Sequence, residues 1–210
     1  MSKRIYFVRH GESEGNTGIF IQTAETPLTE KGVEQAKIIA NRISNLEFDL
    51  LVASTYHRAI QTAEFISKAT KKPFITSDLL VERLRPSEQF NTLQNSLESQ
   101  KSQEQYLAAF VLGEKYKDGE SYYEITNRAR AALEFLEKLP EEKIVVVSHG
   151  MFLRVLCAVL LLKKHLNPQN CLEIMSTLKT KNTGITVIEK DQNNDWRLVC
   201  WNDHAHFAEY

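Results

Sequence analysis

Short apolar runs alternate with amphipathic stretches along this chain. Ile5-Tyr6-Phe7-Val8 leads into Arg9-His10-Gly11, and Phe48-Asp49-Leu50-Leu51-Val52-Ala53 leads into Ser54. Pro73-Phe74-Ile75-Thr76 is a shorter run, and Lys143-Ile144-Val145-Val146-Val147 continues into Ser148-His149-Gly150. Runs this short, rich in β-branched and aromatic residues and bounded by polar residues or glycine, predict buried strands. Ile185 to Ile188 and Trp196 to Trp201 predict two more strands at the edge of the sheet. Gly15, Gly18 and Pro27 mark a loop after the first strand.

The intervening stretches carry helical spacing. Thr29 is a suitable N-cap for a helix with Ala36, Ile39, Ala40 and Ile43 on one face. A second helix is expected from Ser54 to Ala69, and a third from Ser121 to Lys138 with Ile125, Ala129, Ala132, Leu133 and Leu136 inward. An apolar helix follows Gly150 and runs to about Leu162. Strand and helix in alternation predict an α/β fold, three layers α/β/α around a mostly parallel sheet. From Glu82 to Glu120 the chain is rich in Gln, Ser, Glu and Asn, with helical periodicity only around Tyr106 to Leu112. Residues 83–120 are therefore expected to form a helical cap over the C-terminal edge of the strands, within a single domain spanning 1–210.

Composition narrows the field little. The 210 residues suffice for a substantial core, and 42% hydrophobic with 25% charged residues are ordinary globular values. A formal net charge of −1, with no basic stripe carrying interleaved aromatics, gives no reason to expect a nucleic-acid partner. Cys157, Cys171 and Cys200 are odd in number and lack metal-ligand spacing, which suits a reducing compartment. Cys157, in an apolar helical run, is expected to pack as a small hydrophobe. The run after Lys3-Arg4 is too short for a secretory signal, and Val155 to Leu162 is too short to cross a membrane. The expectation is a soluble, cytoplasmic protein with no membrane partner; oligomeric state leaves no signature.

The chemistry gathers at strand ends, where open parallel sheets bind ligands. Two strands each finish on His-Gly, at His10-Gly11 and His149-Gly150, and glycine there permits close backbone approach. Arg58 follows the second strand near a helix N-terminus, already favourable to an anion. Glu82 follows the third strand. Two histidines, the arginines Arg9 and Arg58, and a glutamate at one sheet edge suit phosphoryl transfer through a phosphohistidine. Neutral imidazole is a nucleophile near neutral pH, provided its other nitrogen donates to a fixed acceptor such as a backbone carbonyl. Arginine holds phosphate oxygens bidentately without losing its charge. Glu82 could protonate the leaving alkoxide and then activate water.

Several blocks together resemble the histidine phosphatase superfamily, the phosphoglycerate mutase-like proteins. They are Arg9-His10-Gly11-Glu12-Ser13 with Asn16; Pro27-Leu28-Thr29-Glu30-Lys31-Gly32 with Gln35-Ala36; Ser54 with Arg58-Ala59 and Thr62-Ala63; Ser148-His149-Gly150; and Asn182-Thr183-Gly184-Ile185. The resemblance implies that His10 is the phosphorylated nucleophile and that Arg9, Arg58, His149 and Gly150 bind the phosphoryl group. It implies that Asn16 contacts phosphate or substrate, that Glu82 is the acid/base, and that no metal or cofactor is needed. Glu82-Arg83-Leu84-Arg85-Pro86-Ser87-Glu88 departs from the Gly-Trp-Glu-Gly type of sequence often found there, which leaves Glu88 as a competing acid/base. The expected activity is metal-independent hydrolysis of a small phosphomonoester. The alternatives are a mutase, against which stand the short chain and the missing Arg-Arg-Ser type of segment, and an idle phospho-ligand binding protein. Arg83 and Arg85 are candidates for a second negative group on the substrate or are plain surface residues.

The remaining polar motifs carry less. His57 is expected to be structural or to line a rim, and His204 and His206 to be exposed near the terminus rather than to clip a metal. Lys71-Lys72 and Lys163-Lys164 are expected on the surface, and Gly119-Glu120-Ser121 as a helix start.

Overall fold

The computed structural model describes residues 3–16, 21–90 and 92–208, so Gly18 of the expected loop lies outside the described residues. The apolar runs form strands β1 (Arg4–Arg9), β2 (Leu50–Ser54), β3 (Phe74–Ser77), β4 (Lys143–Ser148), β5 (Ile185–Lys190) and β6 (Trp196–Asp203). They make one six-stranded sheet in the order β3-β2-β4-β1-β5-β6. The pairs β2–β3, β2–β4 and β1–β4 are parallel, while β5 is antiparallel to both β1 and β6. The fold is α/β with a mostly parallel sheet, as the alternating pattern predicts.

Period-2 side-chain alternation gives the sheet two buried faces. Val8, Leu51, Ala53, Val145 and Val147 pack against helices α1 (Glu30–Ser44) and α2 (His57–Thr70). Ile5, Phe7, Val52, Ile144 and Val146 pack against helices α4 (Tyr122–Lys138), α5 (Gly150–Leu162) and α6 (Pro168–Thr177). Each fully buried side chain of this size contributes about 1.5–3 kcal/mol. Cys157 is fully buried on α5, and burial pushes its thiol pKa up to about 12, in keeping with a packed hydrophobe.

Local chemistry sets the element ends. Thr29 Oγ1 accepts the Gly32 N–H at 3.0 Å at the start of α1. Ser121 and Glu124 form a reciprocal capping box at the start of α4, so Gly119-Glu120-Ser121 is a helix start. Gly11 and Gly32 let the loop after β1 cross the first turn of α1, since a Cβ on Gly32 would lie 1.9 Å from the Glu12 carbonyl oxygen.

Three expectations need correction, and one helix is not predicted. The second helix starts at His57 rather than Ser54, because Ser54 continues the β2 ladder opposite Ser77. The cap region holds a sixteen-residue helix, α3 (Leu97–Leu112), where the sequence pattern gives only its last two turns. Its buried positions are Ser99, Ser102, Tyr106 and Phe110, so half of its inward stripe is polar and carries no hydrophobic signal. Helix α6 has no sequence prediction because only Cys171 and Met175 are buried in it; Asn167 and Pro168 start it. His206 is 1% exposed rather than on the surface. Arg42 donates to its Nδ1 at 3.1 Å and its Nε2 lies 3.1 Å from Thr183 Oγ1. His204 is exposed, as expected. Among the described residues no helix is long and apolar enough to cross a membrane.

Candidate active site

Strand register sets the floor of the site. Arg9 of β1 pairs with Ser148 of β4, so the next residues, His10 and His149, stand side by side with ring centroids 5.0 Å apart. Each is almost completely buried. His10 donates its backbone N–H to the Ser148 carbonyl at 3.0 Å, and its own carbonyl accepts Asn182 Nδ2 at 3.0 Å.

The imidazole of His10 is fixed at both nitrogens. Nδ1 lies 2.6 Å from the Gly11 carbonyl oxygen, which can only accept, so Nδ1 carries the proton. Nε2 accepts from Arg58 Nε at 3.3 Å. Burial foremost, then the charges of Arg58 and Arg9, holds the His10 pKa well below 6.5 and keeps the ring neutral. The same causes depress His149, whose Nε2 lies 2.7 Å from Ser54 Oγ and whose Nδ1 is buried with no protein partner. Ser54 Oγ also accepts the Tyr56 N–H, which leaves the Ser54 proton free to point at His149.

A cavity of about 310 Å³ is lined by the neighbours of these rings, Arg9, Arg58 and Gly150, while His10 and His149 themselves are not among its lining residues. Arg58, in the first turn of α2, lines it and donates to the Thr23 carbonyl at 2.9 Å. Burial lowers its pKa to about 10, so the guanidinium stays charged at neutral pH. Arg9 lines it too, donating to the Thr180 carbonyl at 2.6 Å while its buried Nε has no partner. Gly150 makes room for this arginine, since a Cβ there would sit 3.1 Å from Arg9 Nε. Asn16 Oδ1 accepts from Ser13 N, Ser13 Oγ and Asn182 Nδ2, so the group Asn16 offers to the cavity is its NH₂.

Glu82 lines the same cavity and caps α5. Its Oε1 accepts the Phe152 N–H at 2.9 Å and the Arg83 N–H at 2.8 Å, and its Oε2 accepts the Met151 N–H at 3.2 Å. Two of these donors belong to the first turn of α5, which fixes the carboxyl group at that helix end. Glu88 is exposed instead, bound to Ser102, Tyr116 and Lys117 in a separate outer groove. His57 is exposed beside Arg58, in keeping with a rim position.

Three more arginines reach the cavity wall. Arg83 and Arg85 come from the segment between β3 and α3, and Arg154 comes from the second turn of α5. Arg154, together with Thr23 and Thr180, is absent from the sequence prediction. The available signal for Arg154 is that it is the single charged residue of Gly150–Leu162. Among the described residues no group of three or more His, Cys, Asp or Glu side chains is placed to hold a metal ion.

Residues 5–204 match the family model of the histidine phosphatase superfamily (branch 1). The chain belongs to this superfamily. It is 34% identical over 179 residues to the "Probable phosphoglycerate mutase GpmB" of Photorhabdus laumondii, covering 80% of this chain and 81% of that one. Its fold resembles that of a phosphoserine phosphatase mutant from Entamoeba histolytica in complex with phosphoserine, with a TM-score of 0.78 at 24% identity over 97% of this chain and 98% of that one. A mycobacterial glucosyl-3-phosphoglycerate phosphatase is similar in fold, with a TM-score of 0.76 at 24% identity over 96% and 99% of the two chains. Superfamily membership makes the chain an enzyme of the histidine phosphatase and phosphoglycerate mutase group.

Proposed function

We propose that the chain is a cytoplasmic, metal-independent phosphatase that hydrolyses small phosphomonoesters through a phosphohistidine on His10. In this reading residues 1–210 act as one domain, with residues 83–120 as its cap. The observation that carries it is the fixed tautomer of His10. Nδ1–H is held by the Gly11 carbonyl, so the lone pair sits on Nε2, beside Arg58.

The reaction follows from the groups at hand. The entering phosphate draws the Arg58 guanidinium away from His10 Nε2 onto its own oxygens. Arg9, Asn16 and the backbone at Gly150 hold the remaining oxygens. Ser54 Oγ–H donates a hydrogen bond to His149 Nε2, so the neutral His149 ring carries its proton on Nδ1, and that N–H serves as a further donor. Nε2 of His10 then attacks phosphorus as the ester P–O bond breaks, and the leaving oxygen takes a proton from Glu82. Water next attacks the phosphohistidine, gives its proton back to Glu82, and releases inorganic phosphate with the neutral His10. Most of the rate enhancement comes from positioning and from guanidinium charge aimed at the transferring group.

The name carried by the curated relatives supports a second reading, in which the phosphoryl group returns to a second substrate oxygen. Rapid-quench reaction with a labelled phosphomonoester, followed by peptide mapping, tests the intermediate. Acid-labile label on the peptide containing His10 is expected, and label elsewhere or nowhere would reject the mechanism. Free phosphate as the product supports the phosphatase, and an isomerised phosphate ester supports the mutase.

A further inference from the structure

The floor accounts for one phosphate, but the cavity holds more positive charge than one phosphate needs. Arg9, Arg58, Arg83, Arg85 and Arg154 all line it, and Glu82 is the single carboxylate among the lining residues. No ion pair among the described residues includes any of the five arginines. A phosphomonoester brings a charge of about −1.5 to −2 near neutral pH.

Arg83 is the sharpest case. It is 5% exposed, its guanidinium lies 4.9 Å from the centroid of the Tyr106 ring, and its Nε and Nη1 are buried with no partner. Arg128 shows the contrast of a fully satisfied guanidinium. Arg128 uses every guanidinium nitrogen, on Glu120 and on the carbonyls of Leu79, Val81 and Glu82. Arg154 repeats the Arg83 pattern, with one bond to the Met175 carbonyl and a buried, unpartnered Nε. Arg85 is held only by amide oxygens of Gln89 and Gln103, at 3.5 and 3.3 Å. Unpaired buried cations are costly, so they persist where a ligand supplies the counter-charge.

We propose that Arg83, Arg85 and Arg154 form a second anion subsite, and that the substrate is a small phosphomonoester carrying a further negative group on its alcohol half. This rests on the phosphatase reading for the placement of the first phosphate. The cavity volume of about 310 Å³ sits at the small end of the range of about 300–1,000 Å³ for ligand sites. The second charge is therefore only a few bonds from the first. A carboxylate and a second phosphate share the required chemistry.

Two substrate pairs separate these cases. Glycerol 3-phosphate and 3-phosphoglycerate differ by a carboxylate, and fructose 6-phosphate and fructose 1,6-bisphosphate differ by a phosphate. The doubly anionic member of at least one pair is expected to have the higher kcat/KM by tenfold or more, chiefly through KM. The pair showing the preference identifies the second group. Loss of a charge-assisted contact in Arg83→Gln should shrink that ratio by about ten- to a hundredfold. The ratio is taken within one variant, so a smaller folded fraction does not affect it. Equal kcat/KM within both pairs, or a ratio unchanged in Arg83→Gln, would overturn the subsite and leave the phosphatase reading intact. Absence of turnover on every substrate would instead reject the phosphatase reading. Calorimetric binding of the same pairs then decides the subsite: a preference lost in Arg83→Gln supports it, and equal binding overturns it.

Discussion

The floor of the cavity and its wall are made of different material. On the floor, His10 and His149 follow two adjacent parallel strands in register, and the His10 ring, both Arg58 anchors and Glu82 have protein partners, while Arg9 Nε and His149 Nδ1 have none. On the wall, Arg83 and Arg85 leave an irregular segment between β3 and α3, with guanidinium nitrogens that are unpartnered or weakly held. The partners of the His10 ring, Arg58 and Glu82 fix one geometry, which a repeated chemical step needs. Incomplete satisfaction leaves donors for a ligand, which selectivity needs. One short stretch thus serves both purposes, with Glu82 turned to the helix and Arg83 beside it turned to the wall.

The joint between floor and wall is the buried pair Glu120–Arg128, 2.7 Å apart. It holds the carbonyls of Leu79, Val81 and Glu82 and the N–H of Leu84. Glu120→Ala strands a buried guanidinium and should cost about 3–5 kcal/mol of stability, read as a drop in the denaturant midpoint. A loss under 1 kcal/mol would mean that the wall does not depend on this pair.

Next in size is a change on the floor itself. Arg58→Ala should lower kcat by about 10²–10³-fold, the usual effect of removing one donor aimed at developing charge. A fall confined to KM would move Arg58 from the chemistry to simple binding.

A smaller effect concerns pH. Arg42 donates to His206 Nδ1, so Nε2–H faces Thr183, whose own hydroxyl donates to the Asn182 carbonyl. Thr183 and Asn182 in turn hold the His10 carbonyl. Burial first, then Arg42, lowers the His206 pKa to about 4. An unfolded histidine titrates at about 6.5, so between the two values the unfolded chain holds more protons. Stability therefore rises with pH through that window and is lost as pH falls through it. His206→Gln should flatten this acid limb by no more than about 3 kcal/mol across the window. His10 and His149 are depressed as well and keep part of the limb. An unchanged acid limb in thermal melts at pH 4 to 7 would show that His206 does not titrate as described.

The smallest effect is expected at Ser54. Ser54→Ala removes one hydrogen bond to His149, about 1 kcal/mol, and should reduce kcat by about fivefold to tenfold while leaving KM alone. An equal rise in KM would point to a general loosening of the pocket.

The same division governs what the sequence reveals. Strands β1 and β4, with Arg9-His10 and Ser148-His149 at their ends, follow from local pattern, because a strand end puts its next residue at a defined level of the sheet. The wall depends on partners far along the chain. Arg83 owes its place to Tyr106, and His206 owes its burial to Arg42 and Thr183, none of which leaves a local signature. Helix α3 hides behind Ser99 and Ser102 in its inward stripe. Arg154 is different: a single charge in an apolar helix is a visible signal of a polar neighbour, here the cavity.

The most direct test of the account is phosphate release from an aryl phosphate in EDTA, comparing the unmodified chain with His10→Ala. Turnover by the unmodified chain, falling by about 10³-fold or more in the variant, is the predicted result for loss of a covalent nucleophile. Equal turnover by both proteins would contradict the assignment of His10, and turnover that disappears on adding EDTA would contradict a metal-independent phosphohistidine mechanism.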